Sequence, residues 1–136
     1  MNQSTTRQVA RQIARQLKAR NGGVVLLSGP MGAGKTTLVG EMMKILCPGV
    51  ISSSPTFTII NQYADNIYHA DLYRLWENNG DSANNLDKMM ESTGLLDLCV
   101  AGNYVFIEWP ESLHLDGALT VTIQVKENGD REFIIA

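Results

Sequence analysis

The sequence predicts an α/β fold in which a mixed, largely parallel sheet is flanked by helices and carries antiparallel hairpins. An apolar run at residues 24–27 passes through a glycine-rich turn into apolar residues at helical spacing. Further along the chain, strand patterns alternate with helical ones, which favours a parallel sheet. Strict alternation near the C-terminus, followed by Asn128 and Gly129, is typical of a β-hairpin.

Length and composition limit the classes of protein that fit. With 136 residues the chain has the size of one domain, so we predict a single domain over residues 1–136. The longest apolar runs are only a few residues, whereas a membrane helix needs about 20, so no membrane contact is expected. Cys47 and Cys99 lie far apart without metal-ligand spacing, which favours two reduced thiols in a cytoplasmic protein.

The first predicted element is an amphipathic helix capped by Ser4, Thr5 or Thr6. The net charge is −3, yet no acidic residue precedes Glu41. A row of three arginines at i, i+4 spacing indicates a solvated outer face, and a contact with nucleic acid or an acidic partner is the alternative. The inner face consists of Val9, Ala10, Ile13, Ala14 and Leu17. The arginine row consists of Arg7, Arg11 and Arg15.

Later elements follow the same alternation. A second helix is predicted to end near residues 47–49, and "TFTIINQY" and "IYHADLY" to form an antiparallel hairpin through residues 64–66. A short helix is expected at about residues 86–90, and a buried strand at residues 103–109. Asn128 and Gly129 suit the positive φ angles of a type I′ turn in the last hairpin.

The glycine-rich turn matches the phosphate-binding P-loop, or Walker A motif, G-x-x-x-x-G-K-[ST]. It lies between a strand and a helix, where its backbone N–H groups and the helix N-terminus can surround phosphate oxygens. Lys35 is expected to reach the β- and γ-phosphates, Thr36 to bind Mg²⁺, and Thr37 to touch the α-phosphate. The predicted nucleotide-binding residues here are Gly29, Pro30, Met31, Gly32, Ala33, Gly34, Lys35, Thr36 and Thr37.

Two carboxylates are candidates for the acid that assists the metal. Asp71 and Glu108 each end an apolar strand, at the edge where an α/β sheet gathers its ligands. By analogy with small GTPases, Thr56 would close over the γ-phosphate and Asp71 would hold the metal through water or direct the attacking water. Glu108 would share the coordination. An exposed acid just past a strand is the alternative for each, and the division of roles stays open.

The reaction class is narrowed by motifs that the sequence lacks. It has no [NT]-K-x-D motif for guanine and no signature of a transporter ATPase. Small-molecule kinases close a lid with several arginines over the phosphate, whereas only Arg74 and Arg131 follow the P-loop here. Both observations favour ATP hydrolysis over phosphoryl transfer to a metabolite. His69 and His114 have no ligand set around them and are assigned no chemistry.

Four collinear motifs resemble the bacterial TsaE (YjeE-like) family, the P-loop ATPase of tRNA threonylcarbamoyladenosine biosynthesis. They are "GPMGAGKTT", "SPTFTIINQY", "YHADLYRL" and "IEWPE", and the similarity runs from about residue 6 to residue 111. Family members usually have Asp-Leu where this chain has Pro30 and Met31. Those are variable positions of the loop, so phosphate binding is still expected.

The resemblance implies a P-loop NTPase-like fold, ATP and Mg²⁺ as cofactors, and TsaB and TsaD as protein partners, with tRNA as an indirect one. Lys35, Asp71 and Glu108 would be catalytic, and Thr36, Glu108 and Asp71 would serve the metal. Thr6 would lie near the adenine, with a plain N-cap as the alternative, and Arg131 near the base. Two other functions stay open: a small-molecule kinase of the same fold, and a nucleotide-sensing module without turnover.

Overall fold

The fold is given by a computed structural model that describes residues 3–30, 32–48, 60–72, 94–108 and 117–136. These residues form three helices and six strands, which confirms the predicted α/β class. The helix expected at residues 86–90 lies outside them. In chain order the elements are α1 (Gln3–Ala19), β1 (Gly23–Ser28), α2 (Lys35–Leu46), β2 (Ile60–Ala64), β3 (Ile67–Asp71), α3 (Leu95–Leu98), β4 (Tyr104–Glu108), β5 (Leu119–Val125) and β6 (Arg131–Ile135).

The six strands form one sheet in the order β2-β3-β4-β1-β5-β6. The four central strands are parallel, and β2 and β6 pair antiparallel at the two edges. The predicted largely parallel sheet and both predicted hairpins are therefore confirmed. Because parallel strands end at the same edge, the C-terminal ends of β1, β3 and β4 lie side by side.

Hydrophobic residues bury both faces of this sheet, as expected for parallel strands. On one face α1 and α2 pack against alternate residues of the strands, including Leu27 and Phe106. The other face carries a smaller cluster that contains Leu26 and Ile107 of the sheet and Leu95 of α3. The period of two therefore assigns each strand residue to a face.

Helix α1 has the predicted inner face but begins earlier than predicted. Ala10, Ile13, Ala14 and Leu17 are buried, and Val9 is half-buried against the same cluster. The helix starts at Gln3, so Ser4, Thr5 and Thr6 lie in its first turn and the N-cap prediction was wrong. At the other end, the N–H groups of Asn21 and Gly22 donate to the carbonyls of Lys18 and Leu17, which is a Schellman motif.

The turn of the C-terminal hairpin differs from the prediction. A type I′ turn needs positive φ at both Asn128 and Gly129, but among these two only Gly129, at 88°, has it. The N–H of Gly129 donates to the carbonyl of Lys126 at 2.9 Å, and Lys126 donates to Asp130 at 2.7 Å. These bonds describe a three-residue loop in which a turn at residues 126–129 ends in a left-handed glycine.

Candidate functional site

The glycine-rich loop connects β1 directly to α2, as predicted. Gly29, Gly32 and Gly34 all have positive φ, at 151°, 80° and 105°. Gly29 has a second constraint, because a Cβ there would lie 2.7 Å from the carbonyl oxygen of Ile123. The loop therefore needs glycine for backbone direction at three points and for close packing against β5 at one. Met31 lies outside the described residues.

Lys35 is held against the start of the loop. Its side chain is only 5% exposed, and Nζ donates to the carbonyls of Gly29 at 2.7 Å and Pro30 at 3.0 Å. Lys35 is also the first residue of α2, whose first turn has no acidic residue and whose N-cap, Gly34, has no side chain to cap the helix. A buried ammonium group and the positive end of a helix thus occupy the same end of the loop.

Thr36 and Glu108 meet across the sheet edge. The Thr36 hydroxyl lies 3.2 Å from Oε1 and 3.1 Å from Oε2 of Glu108, so it can donate to the carboxylate. The contact follows from strand pairing, since β4 lies beside β1 with Glu108 in register with Leu27. Glu108 is 3% exposed, which leaves its charge in a water-poor environment.

Asp71 reaches the same edge from one strand further out. It ends β3, is half-buried, and is the register partner of Glu108. The structure therefore brings the two acids together at the strand ends, and Glu108, on the strand next to β1, contacts Thr36.

The sequence prediction missed His69, which belongs to this cluster. Its ring is fully buried, Nε2 forms a hydrogen bond with Oε2 of Glu108, and Nδ1 lies 3.3 Å from the hydroxyl of Tyr63. His69 precedes Asp71 by two residues on β3, so the period of two places both on one face of the sheet. That spacing was the signal in the sequence that could have pointed to it.

Arg131 extends from β6 to the other side of the loop. Its Nη2 donates to the carbonyl of Gly32 at 3.3 Å, and Nε lies 3.3 Å from where a Cβ of Gly34 would be. Nε is buried and has no hydrogen-bond partner among the described residues. Arg131 was expected near the base of a nucleotide; its observed neighbour is the phosphate loop itself.

The remaining predicted residues are placed as follows. Thr6 is 5% exposed within α1, and Ala33 is buried in the loop. Thr37 is exposed in the first turn of α2. Thr56 lies outside the described residues, as do Arg74 and His114, so nothing is stated of their positions.

Among the described residues, no group of three or more His, Cys, Asp or Glu side chains could enclose a metal ion. No helix in the same residues is long and apolar enough to cross a membrane.

A glycine-rich loop between a strand and a helix, with an acid on the neighbouring parallel strand, defines the P-loop NTPase-like class of proteins. Within that class the chain belongs to the TsaE family. The family model described as "Threonylcarbamoyl adenosine biosynthesis protein TsaE" matches residues 1–133, nearly the whole sequence.

Individual relatives agree with this assignment. The tRNA threonylcarbamoyladenosine biosynthesis protein TsaE of Rickettsia bellii is 33% identical over 92% of this chain and 82% of its own length. The protein of the same name from Nostoc sp. is 42% identical over 68% of this chain, and the match spans only 55% of that relative. The crystal structure of Bacillus subtilis YdiB superimposes with a TM-score of 0.67 at 26% identity, covering 98% of this chain and 78% of YdiB.

The two kinds of constraint on the loop glycines predict unequal costs of substitution. Gly32→Ala adds a Cβ to open space at positive φ, so it should lower the free energy of unfolding by about 1 kcal/mol. Gly29→Ala also forces a Cβ against the backbone of Ile123 and should cost about 3 kcal/mol. Urea unfolding followed by circular dichroism measures both values. Equal losses in the two variants would contradict the close packing of the loop against β5.

Proposed function

We propose that this protein binds ATP with Mg²⁺, hydrolyses it, and with TsaB and TsaD supports threonylcarbamoyladenosine formation in tRNA in the cytoplasm. The observation that carries the proposal is the contact between Thr36 of the P-loop and Glu108 of the adjacent strand. A P-loop hydroxyl beside a carboxylate is the usual arrangement for a nucleotide-bound Mg²⁺. The tRNA pathway comes from the names of the relatives.

The loop fits a phosphate chain. Positive φ angles at Gly29, Gly32 and Gly34 let the backbone curve closely, and the space that a Cβ of Gly29 would fill is already occupied by backbone. The N-cap of α2 is Gly34, which has no side chain to bond the first N–H groups of the helix, and these groups favour an anion. Lys35 adds a buried positive charge within the same turn, suited to the β- and γ-phosphates.

The oxygen donors of Thr36 and Glu108 are suited to Mg²⁺, which needs few protein ligands, rather than to a metal ion that protein side chains enclose completely. Thr36 and Glu108 supply oxygen atoms, and Mg²⁺ typically takes few protein ligands and completes its shell with water and phosphate. When bound, the ion neutralises charge on the phosphates. Thr36 would ligate it, with Glu108 beside it, and Asp71, one strand away, would hold a water ligand or orient the attacking water.

Further residues are assigned to the base and to the phosphates of the nucleotide. Arg131, which contacts the loop at Gly32, would lie near the base or the phosphates, because its buried Nε has no hydrogen-bond partner among the described residues and can donate to the ligand. Thr37, in the first turn of α2, would touch the α-phosphate. Thr6, buried near the start of α1, would lie on the adenine side. Thr56 keeps its proposed place over the γ-phosphate.

We expect the isolated chain to hydrolyse ATP slowly because few arginines are available to contact the transferred phosphoryl group. An arginine placed on the transferred phosphoryl group raises hydrolysis by roughly 10³ to 10⁵. Beyond the P-loop the sequence contains only Arg74 and Arg131, and Arg131 already donates to a loop carbonyl. Partners that complete or reorder the site would therefore accelerate hydrolysis.

We predict that the two acids give different phenotypes. Glu108→Gln should weaken the Mg²⁺ dependence of ATP binding, because Glu108 contacts the P-loop threonine. Asp71→Asn should retain binding and lose hydrolysis, because Asp71 lies one strand further from β1. Calorimetric titration with and without Mg²⁺, combined with phosphate release, separates the two. Reversed phenotypes would exchange the roles, and two silent variants would remove both residues from the site.

Partner dependence gives the test of the whole proposal. Phosphate release is expected to be slow for the purified chain and faster with TsaB and TsaD. It should be measured alone, with that pair, and with a metabolite mixture, alongside multi-turnover tRNA modification. Stimulation by metabolites but not by the pair would instead establish a small-molecule kinase. Tight ATP binding without phosphate release under any condition would establish a nucleotide-sensing module.

A further inference from the structure

A line of hydrogen-bonded side chains extends from the P-loop threonine to the edge of the sheet. It runs from Thr36 through Glu108 and His69 to Tyr63, and so crosses from α2 to β4, β3 and β2. Glu108 and His69 are almost completely buried, at 3% and 0% exposed. The proposed function uses the first two of these residues and gives no role to the last two.

The contacts of Glu108 show what His69 contributes. Oε2 of the carboxylate is bonded by Nε2 of His69, and Thr36 lies within 3.2 Å of both oxygens. His69 itself cannot turn easily, because its ring is buried and stacks on Tyr63 with centroids 6.1 Å apart and planes at 27°. The orientation of the carboxylate is therefore fixed from β3 as well as from the P-loop.

The hydrogen bonds between Tyr63, His69 and Glu108 can both be donated in one direction, from Tyr63 through His69 to Glu108. An ionised carboxylate only accepts hydrogen bonds, so Nε2 of His69 must carry the proton that is donated to Glu108. In a neutral ring Nδ1 is then the acceptor, and the Tyr63 hydroxyl donates to it at 3.3 Å. The carboxylate of Glu108 therefore sets the tautomer, and the hydrogen bond with Tyr63 holds the ring in place, much as an outer partner orients a histidine beside a metal.

We infer that His69 is a positioning residue, which holds the Glu108 carboxylate in the orientation that Thr36 and a nucleotide-bound Mg²⁺ require, and that the hydroxyl of Tyr63 holds the His69 ring in that position. The part that concerns Mg²⁺ rests on the proposed function. The part that concerns the hydrogen bond rests only on the contacts of the chain. A purely structural histidine would affect stability, whereas a positioning residue changes the contribution of Mg²⁺ to nucleotide affinity.

The first test compares ATP affinity in excess Mg²⁺ with ATP affinity in EDTA. His69→Phe keeps a ring but removes the donor, so the gain in affinity due to Mg²⁺ should fall about 10- to 100-fold. Affinity in EDTA should not change, because Lys35 and the loop are untouched. His69→Gln should retain most of the gain, since its amide can donate from near the position of Nε2. A wild-type gain in His69→Phe, or equal losses with and without Mg²⁺, would overturn the inference.

Tyrosine variants provide the matched control and protect the test if His69→Phe does not fold. Tyr63→Phe removes the hydroxyl that faces Nδ1 and should reduce the gain due to Mg²⁺. Tyr68→Phe removes a hydroxyl in the same hairpin that donates to the carbonyl of Asp65, away from the site, and should leave the gain unchanged. Equal behaviour of the two variants would contradict the role given to Tyr63.

The second test needs no ligand, so it can fail or succeed independently of the proposed function. The chain contains only two histidines, so nitrogen NMR of the ligand-free protein, with His69→Gln as reference, assigns both rings. We expect Nε2 of His69 to carry a proton that exchanges slowly with water. An unprotonated Nε2 would overturn the inference. A protonated Nε2 in a wild type whose ATP affinity ignores Mg²⁺ would instead contradict the proposed function.

Discussion

The parallel pairing of β1 with β4 is the constraint on which the site depends. It aligns Glu108 with Leu27, two residues before the loop begins, so the carboxylate reaches Thr36 at the start of α2. Residues 36 and 108 are far apart in sequence, and the pairing of β1 with β4 brings them into contact. A slip of one residue would turn Glu108 to the opposite face of the sheet.

The two faces of the sheet penalise such a slip. The face opposite α2 carries an apolar cluster that includes Leu26 and Ala70. Moving Glu108 or His69 into that cluster would take it away from its present hydrogen-bond partners and place a polar group among apolar side chains, at a cost of several kcal/mol. The hydrogen bond between His69 and Glu108 thus forms only in the observed strand register, which is also the register that the apolar packing favours.

The sequence predicts the parts of the site that are local and misses those that depend on strand order. The loop, Lys35 and the acid ending each strand could be predicted because each lies within one strand-turn-helix or strand pattern. The contacts of His69 and Arg131 could not, because they need β3 beside β4 and the C-terminal hairpin beside β1. The predicted type of the last turn was wrong because Asn-Gly fits both a type I′ turn and a three-residue loop that ends in a glycine with positive φ. The two residues alone do not distinguish these two turns.

Titration of Lys35→Ala with ATP and Mg²⁺ tests whether the loop and its lysine form an ATP site. Lys35 would donate charged hydrogen bonds to phosphate, and losing them costs about 2 kcal/mol or more, roughly a 30-fold weaker affinity. Lys44→Ala is the matched control, since Lys44 lies on the same helix and pairs with Glu41 at 3.0 Å, away from the loop. We predict a large loss of affinity in Lys35→Ala and none in Lys44→Ala. Wild-type affinity in a folded Lys35→Ala variant would contradict it.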